Sequence, residues 1–192
     1  MTTMRTQADT SEQIMAAARS MVQARGYNAL SFRDVAASVG VKSASVHYHF
    51  PTKGDLAAAL ARRYTEEGMD YLDTLLARGE DYRACLARYV AIFRRALEDG
   101  NRMCLCGIMA AENEDLPAAV RAEVAAFTNA NVAWLTGLLA GRRPGTSPEL
   151  ARARGAAIYA AVAGAQLVAR GRNDIAVYDA IMGAFADTGL FD

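Results

Sequence analysis

Apolar residues recur along this chain at helical rather than strand spacing. Leu56, Leu60 and Tyr64 fall at i, i+4 and i+8, and no stretch of four to eight residues alternates strictly between apolar and polar. Alanine, leucine and arginine dominate while β-branched residues are scattered, so the pattern predicts an all-α fold. Helix punctuation divides it into about nine helices. The first is predicted over about Thr10 to Arg25, opened by a Thr10/Gln13 capping box and closed by Gly26. Ser31 and Asp34 form a second box before a short helix that Gly40 ends, and a third helix covers about Lys42 to His49. Pro51 stops it, and a Thr52/Asp55 box starts a long helix to about Ala77. Five further segments follow at about Glu80 to Asp99, Met103 to Glu112, Pro117 to Leu139, Pro148 to Arg170 and Asp174 to Leu190. Pro117 and Pro148 suit first turns, where an amide hydrogen has no intrahelical partner, and Gly141 to Ser147 reads as the main linker.

The 192 residues fit one or two domains, and 53% apolar with 22% charged residues describe a globular chain. Its 21 basic and 21 acidic side chains cancel, which hides a local bias. Residues 1–56 carry six basic and four acidic side chains, against fifteen and seventeen in 57–192. Both lysines, Lys42 and Lys53, lie around the third helix. Cys85, Cys104 and Cys106 are too few for a disulfide framework and include no CxxC pair, which fits a reducing cytosol. Met1 to Thr10 lacks the apolar core of a signal peptide, and no stretch reaches roughly 18 uninterrupted apolar residues. The expectation is a soluble, cytoplasmic protein with no membrane partner.

The stretch SFRDVAASVGVKSASVHYHF, residues 31–50, sets two short helices around a tight turn at Gly40. Small Ala36 lies where the helices approach, and Val35, Val41 and Val46 form the wedge between them. That is helix-turn-helix spacing. With Val46 turned inward, Lys42, Ser43, Ala44, Ser45, His47 and Tyr48 surround the open face, a mixture of donors, acceptors and a methyl suited to base edges in a major groove. Ser31, Arg33 and His49 flank this face, and Lys53 at the start of the next helix is placed for a phosphate. His47 and His49 sit about 200° apart on a regular helix, so they do not ligate one ion, and no metal is expected.

The run SVHYHFPTKGDL, preceded by GYNALSFRDVA behind a capped first helix, resembles the N-terminal signature of the TetR family of bacterial transcriptional regulators. That signature commonly reads G-T-L-Y-x-H-F-x-S-K-x-x-L. The resemblance covers about Thr10 to Leu60, and the length and nine-helix plan fit the remainder. It implies a homodimeric repressor with a DNA-binding domain over residues 1–56 and an inducer-binding and dimerisation domain over 57–192. It places Lys42, Ser43, Ala44, Ser45 and Tyr48 toward operator DNA, Lys53 on the backbone and Phe50 in the core. His47 departs from the family pattern, which has tyrosine there, while His49 matches.

In the second part, Met69, Leu72, Phe93, Met103, Cys106, Met109, Phe127 and Trp134 are large or soft apolar side chains that residue by residue read first as core; the family resemblance implies that they line a site for a small, mainly apolar or aromatic inducer. Leu56, Leu60 and Tyr64 make the fourth helix the lever between the parts. Ala156, Ala160, Ala163, Gly164, Gly183 and Ala184 permit close approach of two helices from each subunit in a four-helix dimer interface, with an intrachain pair as the alternative. Cys104 and Cys106, beside Arg102, offer another reading as an electrophile-sensing thiol pair. A third reading is a helical binding protein that does not engage DNA. GxSxG, HExxH, Walker and GxGxxG motifs are all missing, so neither an enzyme nor a cofactor is expected.

Overall fold

The computed structural model describes residues 7–142 and 145–191, and the described residues contain no strand. They form nine α-helices: α1 Gln7–Arg25, α2 Phe32–Val39, α3 Ser43–His49, α4 Lys53–Ala77, α5 Tyr82–Glu98, α6 Leu105–Ala110, α7 Ala118–Arg142, α8 Pro148–Arg172 and α9 Ile175–Asp187. A single 3-10 turn, Asn113–Asp115, follows α6. The expected linker Gly141 to Ser147 has its centre, residues 143–144, outside the described part.

Several boundaries follow directly from local chemistry. The Ser31 hydroxyl accepts from the Asp34 amide at 3.4 Å, and Gly40 closes α2 in the left-handed region at φ 75°. At the start of α4, the Asp55 carboxylate accepts from the Thr52 amide at 3.0 Å while the Thr52 hydroxyl accepts from the Asp55 amide at 3.1 Å. This is a reciprocal capping box. Asp81, Ser147 and Asp174 cap α5, α8 and α9 one way, their side chains accepting from the amides of Ala84, Leu150 and Ala176.

Among the helix ends that differ from the sequence expectation, those of α1, α6 and α7 have particular contacts. Helix α1 is already formed at Gln7, so Thr10 lies inside it and Gln13 donates to the Asp9 side chain at 3.1 Å. Helix α6 is shorter at both ends. The Cys104 amide is drawn away to the Gln166 side chain at 3.0 Å, and Glu112 leads into the 3-10 turn. Helix α7 runs on to Arg142, whose guanidinium lies 4.5 Å from the centre of the Tyr82 ring.

The described residues divide into two compact units, one drawn from Met1–Tyr64 and Leu105–Ala125, the other from Thr65–Cys104 and Ala126–Asp192. In the first, α1 packs on α2, α3 and α6, and α2 packs on α3. Ile14, Ala18 and Val22 form its buried stripe on α1, joined in the core by Val35, Ala36, Val46, Leu56 and Leu60. Each large apolar side chain so enclosed contributes about 1.5–3 kcal/mol. In the second, α5 packs on α8 and α9, and α8 packs on α9. There Gly155 is buried, and a Cβ at that position would lie 2.9 Å from the Thr136 hydroxyl and 3.1 Å from the Val132 carbonyl. This glycine lets α7 and α8 touch within the chain.

Two buried polar side chains organise the second core. Gln166, fully enclosed, accepts from the Cys104 amide and donates to the Phe93 carbonyl at 2.7 Å. Tyr178 donates to the Val90 carbonyl at 2.9 Å, and burial pushes its phenol far above the usual range. At the surface, Arg94 grips Asp179 through two hydrogen bonds at 2.7 and 2.9 Å, which hold the Asp179 carboxyl below the usual carboxylate range.

Candidate DNA-binding surface

The turn between α2 and α3 begins where the Gly40 and Val41 amides both donate to the Ala36 carbonyl, at 2.9 and 3.0 Å. Ala36 is only 2% exposed, so a larger side chain there has no room between the helices. Helix α3 then hides Val46 completely and leaves Lys42, Ser43, Ala44, His47 and Tyr48 exposed, with Ser45 and His49 half-buried. Tyr48 is 70% exposed, the most open large apolar side chain described. An aromatic ring left in water on a face of hydroxyl and ammonium groups is poised for a partner that offers both apolar and polar contact.

The neighbouring candidates are positioned differently. Ser31 spends its hydroxyl on the α2 cap, whereas Arg33 projects into solvent with Asp34 at 3.5 Å. His47 is braced rather than free: its Nδ1 lies 3.3 Å from the Pro51 carbonyl and its ring meets Phe32 edge-on at 4.7 Å. With Nδ1 protonated toward that carbonyl, Nε2 is the nitrogen left for another group. Lys53 is half-buried. Its ammonium lies 4.2 Å above the Tyr27 ring and donates to the Asn28 carbonyl at 3.3 Å. Burial lowers its pKa against the opposing effect of Glu112 and Asp115.

Those two carboxylates belong to a cluster with no sequence motif. Glu112 accepts from the backbone amides of Tyr27 and Asn28, while Asp115 accepts from the Asn28 side chain at 2.6 Å. Gly26, at φ 88°, leaves room for the Glu112 carboxylate, which a Cβ would meet at 2.5–2.7 Å. The loop between α1 and α2 is therefore fastened by a side chain 85 positions away. A lone glutamate gives no signal of such a contact.

The inducer candidates divide between the two units. Cys106 and Met109 are buried in the first, whereas Met69, Leu72, Phe93, Met103, Phe127 and Trp134 belong to the second. Tyr89, absent from the expected set, unites two of these by contacting Phe93 at 5.5 Å and stacking on Trp134 at 5.7 Å. Asn131 was also missed. Its place four residues after Phe127 and three before Trp134, a polar group on an apolar helix face, was a readable signal. Among the described residues, no group of three His, Cys, Asp or Glu can hold a metal ion, and no helix is long and apolar enough to cross a membrane.

Ala156, Ala160, Gly164, Gly183 and Ala184 are exposed and Ala163 is half-buried. They share the outer side of α8 and α9 with Leu167 and Val168, which are 57% and 47% exposed. Cys104 and Cys106 are 3% and 0% exposed, and Arg102 is engaged by Asp99 at 2.6 Å.

The three-helix arrangement of α1 to α3, with an open second helix of the turn, defines a helix-turn-helix protein. Residues 14–60 match the family of bacterial regulatory proteins, tetR family. Two solved structures resemble nearly the whole chain. A TetR-family transcriptional regulator from Agrobacterium tumefaciens is 31% identical, with TM-score 0.86, covering 95% of this chain and 98% of that one. A TetR transcriptional regulator from Legionella pneumophila is 29% identical, with TM-score 0.87, covering 93% and 96%. The regulator FadR from Bacillus subtilis, in complex with stearoyl-CoA, shares the fold at 15% identity and TM-score 0.69, covering 90% and 95%. No protein of curated function matches the chain. The chain belongs to the TetR family of transcriptional regulators, which are DNA-binding proteins and not enzymes.

Proposed function

We propose that this chain is a homodimeric repressor that holds two copies of α3 in successive major grooves of a near-palindromic operator and is released by a small inducer. The observation that carries this reading is the α3 face, with Val46 enclosed and Lys42, Ser43, Ala44, His47 and Tyr48 open. Ser45 and Tyr48 read base edges, and Arg33 and Lys42 supply charge toward phosphates. DNA reading is assigned to residues 1–56, and inducer binding and dimerisation to 57–192. The apolar outer side of α8 and α9 supports pairing with a second copy, because exposed apolar patches of this kind commonly mark interfaces. The aromatic cluster of α5 and α7 supports an inducer site, and the stearoyl-CoA complex of FadR is an example of a ligand held in this fold. The inducer favours a separation of the two α3 helices that no longer matches the grooves.

Release by oxidation of Cys104 and Cys106 is the weaker reading, because both thiols are buried away from solvent oxidants. A gel shift using the DNA beside the protein's own gene tests the proposal. The expected result is a discrete complex at least about a thousandfold tighter than with random duplex at the same salt. Equal affinity for both duplexes would reject it.

A further inference from the structure

The second unit contains a buried hydrogen-bond donor for which the described residues supply no acceptor. Trp134 is only 8% exposed, and its indole Nε1 makes no hydrogen bond. More than about nine in ten buried polar groups are paired, and an unmet one costs about 1–3 kcal/mol. The surrounding polar groups are committed elsewhere. Tyr89, stacked on the indole with planes 13° apart, donates to the Asn131 side-chain oxygen at 3.0 Å. Asn131 in turn donates to the Phe127 carbonyl at 2.8 Å. The indole N–H is the donor left over at the end of this chain.

We propose that Trp134, Tyr89 and Asn131 form the recognition point for an aromatic small molecule carrying one neutral acceptor oxygen, such as a ketone or ester, which receives the Trp134 N–H. This refines the inducer site proposed above and rests on that reading. The aromatic requirement comes from the rings gathered there: Tyr89 lies between Phe93 and Trp134, and Phe127 meets Tyr159 edge-on at 6.4 Å. The neutral requirement comes from the side chains gathered there. Tyr89, Phe93, Phe127, Asn131 and Tyr159 bring no positive charge, so a carboxylate buried beside them would lose its hydration without an ion partner. Burial holds the Tyr89 phenol well above its ordinary range, so it remains a donor to Asn131 and does not become a competing anion.

Trp134 is the only tryptophan in the chain, so its indole signal is unambiguous. The test uses the full-length protein and two probes sharing one ring system, 1-acetonaphthone with an acceptor oxygen and 1-ethylnaphthalene without. In the wild type, the ketone is expected to move the single indole ¹H–¹⁵N cross-peak downfield, and the hydrocarbon is not. In Trp134→Phe, the ratio of ketone to hydrocarbon affinity is expected to fall about five- to tenfold, the value of one net hydrogen bond. A ratio unchanged within about twofold, or the absence of binding by either probe, would overturn the proposal. If the variant does not fold, the wild-type cross-peak decides: an equal response to both probes overturns it. Operator binding is measured separately by gel shift. A protein that binds its operator but ignores the acceptor loses only this site, and one that shows the acceptor preference but no operator binding loses only the regulatory reading.

Discussion

The double variant Lys42→Ala, Tyr48→Ala is expected to bind operator DNA about 100- to 1000-fold more weakly than the wild type while retaining its melting temperature. Both side chains are exposed, so their truncation opens no cavity. One phosphate-directed charge and one base-edge contact are each worth about 1 kcal/mol or more, and a dimer loses both twice. The two substitutions are separable. Lys42→Ala should weaken binding to all duplexes and flatten the dependence of affinity on salt, whereas Tyr48→Ala should alter the ranking of operator sequences. Fluorescence anisotropy at several salt concentrations measures both effects. An unchanged affinity in the double variant would remove α3 from the interface.

Gln166→Leu is expected to lower stability by about 3–4 kcal/mol, read as a displaced midpoint in urea denaturation. The side chain is fully enclosed and serves two backbone groups, the Cys104 amide and the Phe93 carbonyl. Leucine occupies a similar volume but pairs with neither, and each stranded buried group costs about 1–3 kcal/mol. The damage should appear as a cooperative loss of the second unit's core, because one side chain of α8 ties together Cys104 and the Phe93 turn of α5. A variant within about 0.5 kcal/mol of the wild type would mean that these two groups find other partners.

The contrast between these sites explains what the chain made readable. The devices that shape the turn and bound α3 are local: the Ser31 cap, small Ala36, left-handed Gly40, inward Val46 and the Thr52/Asp55 box lie within 25 residues. Each acts through its own chemistry over one or two turns, so spacing alone locates the helix-turn-helix. The contacts that fasten Gly26 to Glu112, or Cys104 to Gln166, join distant positions and leave no periodic trace. For that reason the end of α1 was legible but what holds the following loop was not, and α6 read too long. Lys53 shows the same limit. Its charge near a helix start is legible, but its contacts with Tyr27 and Asn28, which brace the loop, are not. The large apolar candidates of the second part are buried apart from half-buried Met69, but apolarity does not say which of them share a unit. The polar members, Tyr89 and Asn131, carry the more specific information.

A paired molecule of the proposed kind reads two grooves of one duplex through α3. Hydroxyl-radical footprinting on the DNA beside its own gene tests it most directly. The expected footprint is two protected patches related by approximate two-fold symmetry, centred one helical turn or a multiple of about 10–10.5 base pairs apart, and both lost in the Lys42→Ala, Tyr48→Ala variant. A single patch, uniform protection along the duplex, or a footprint that survives the double substitution would contradict it.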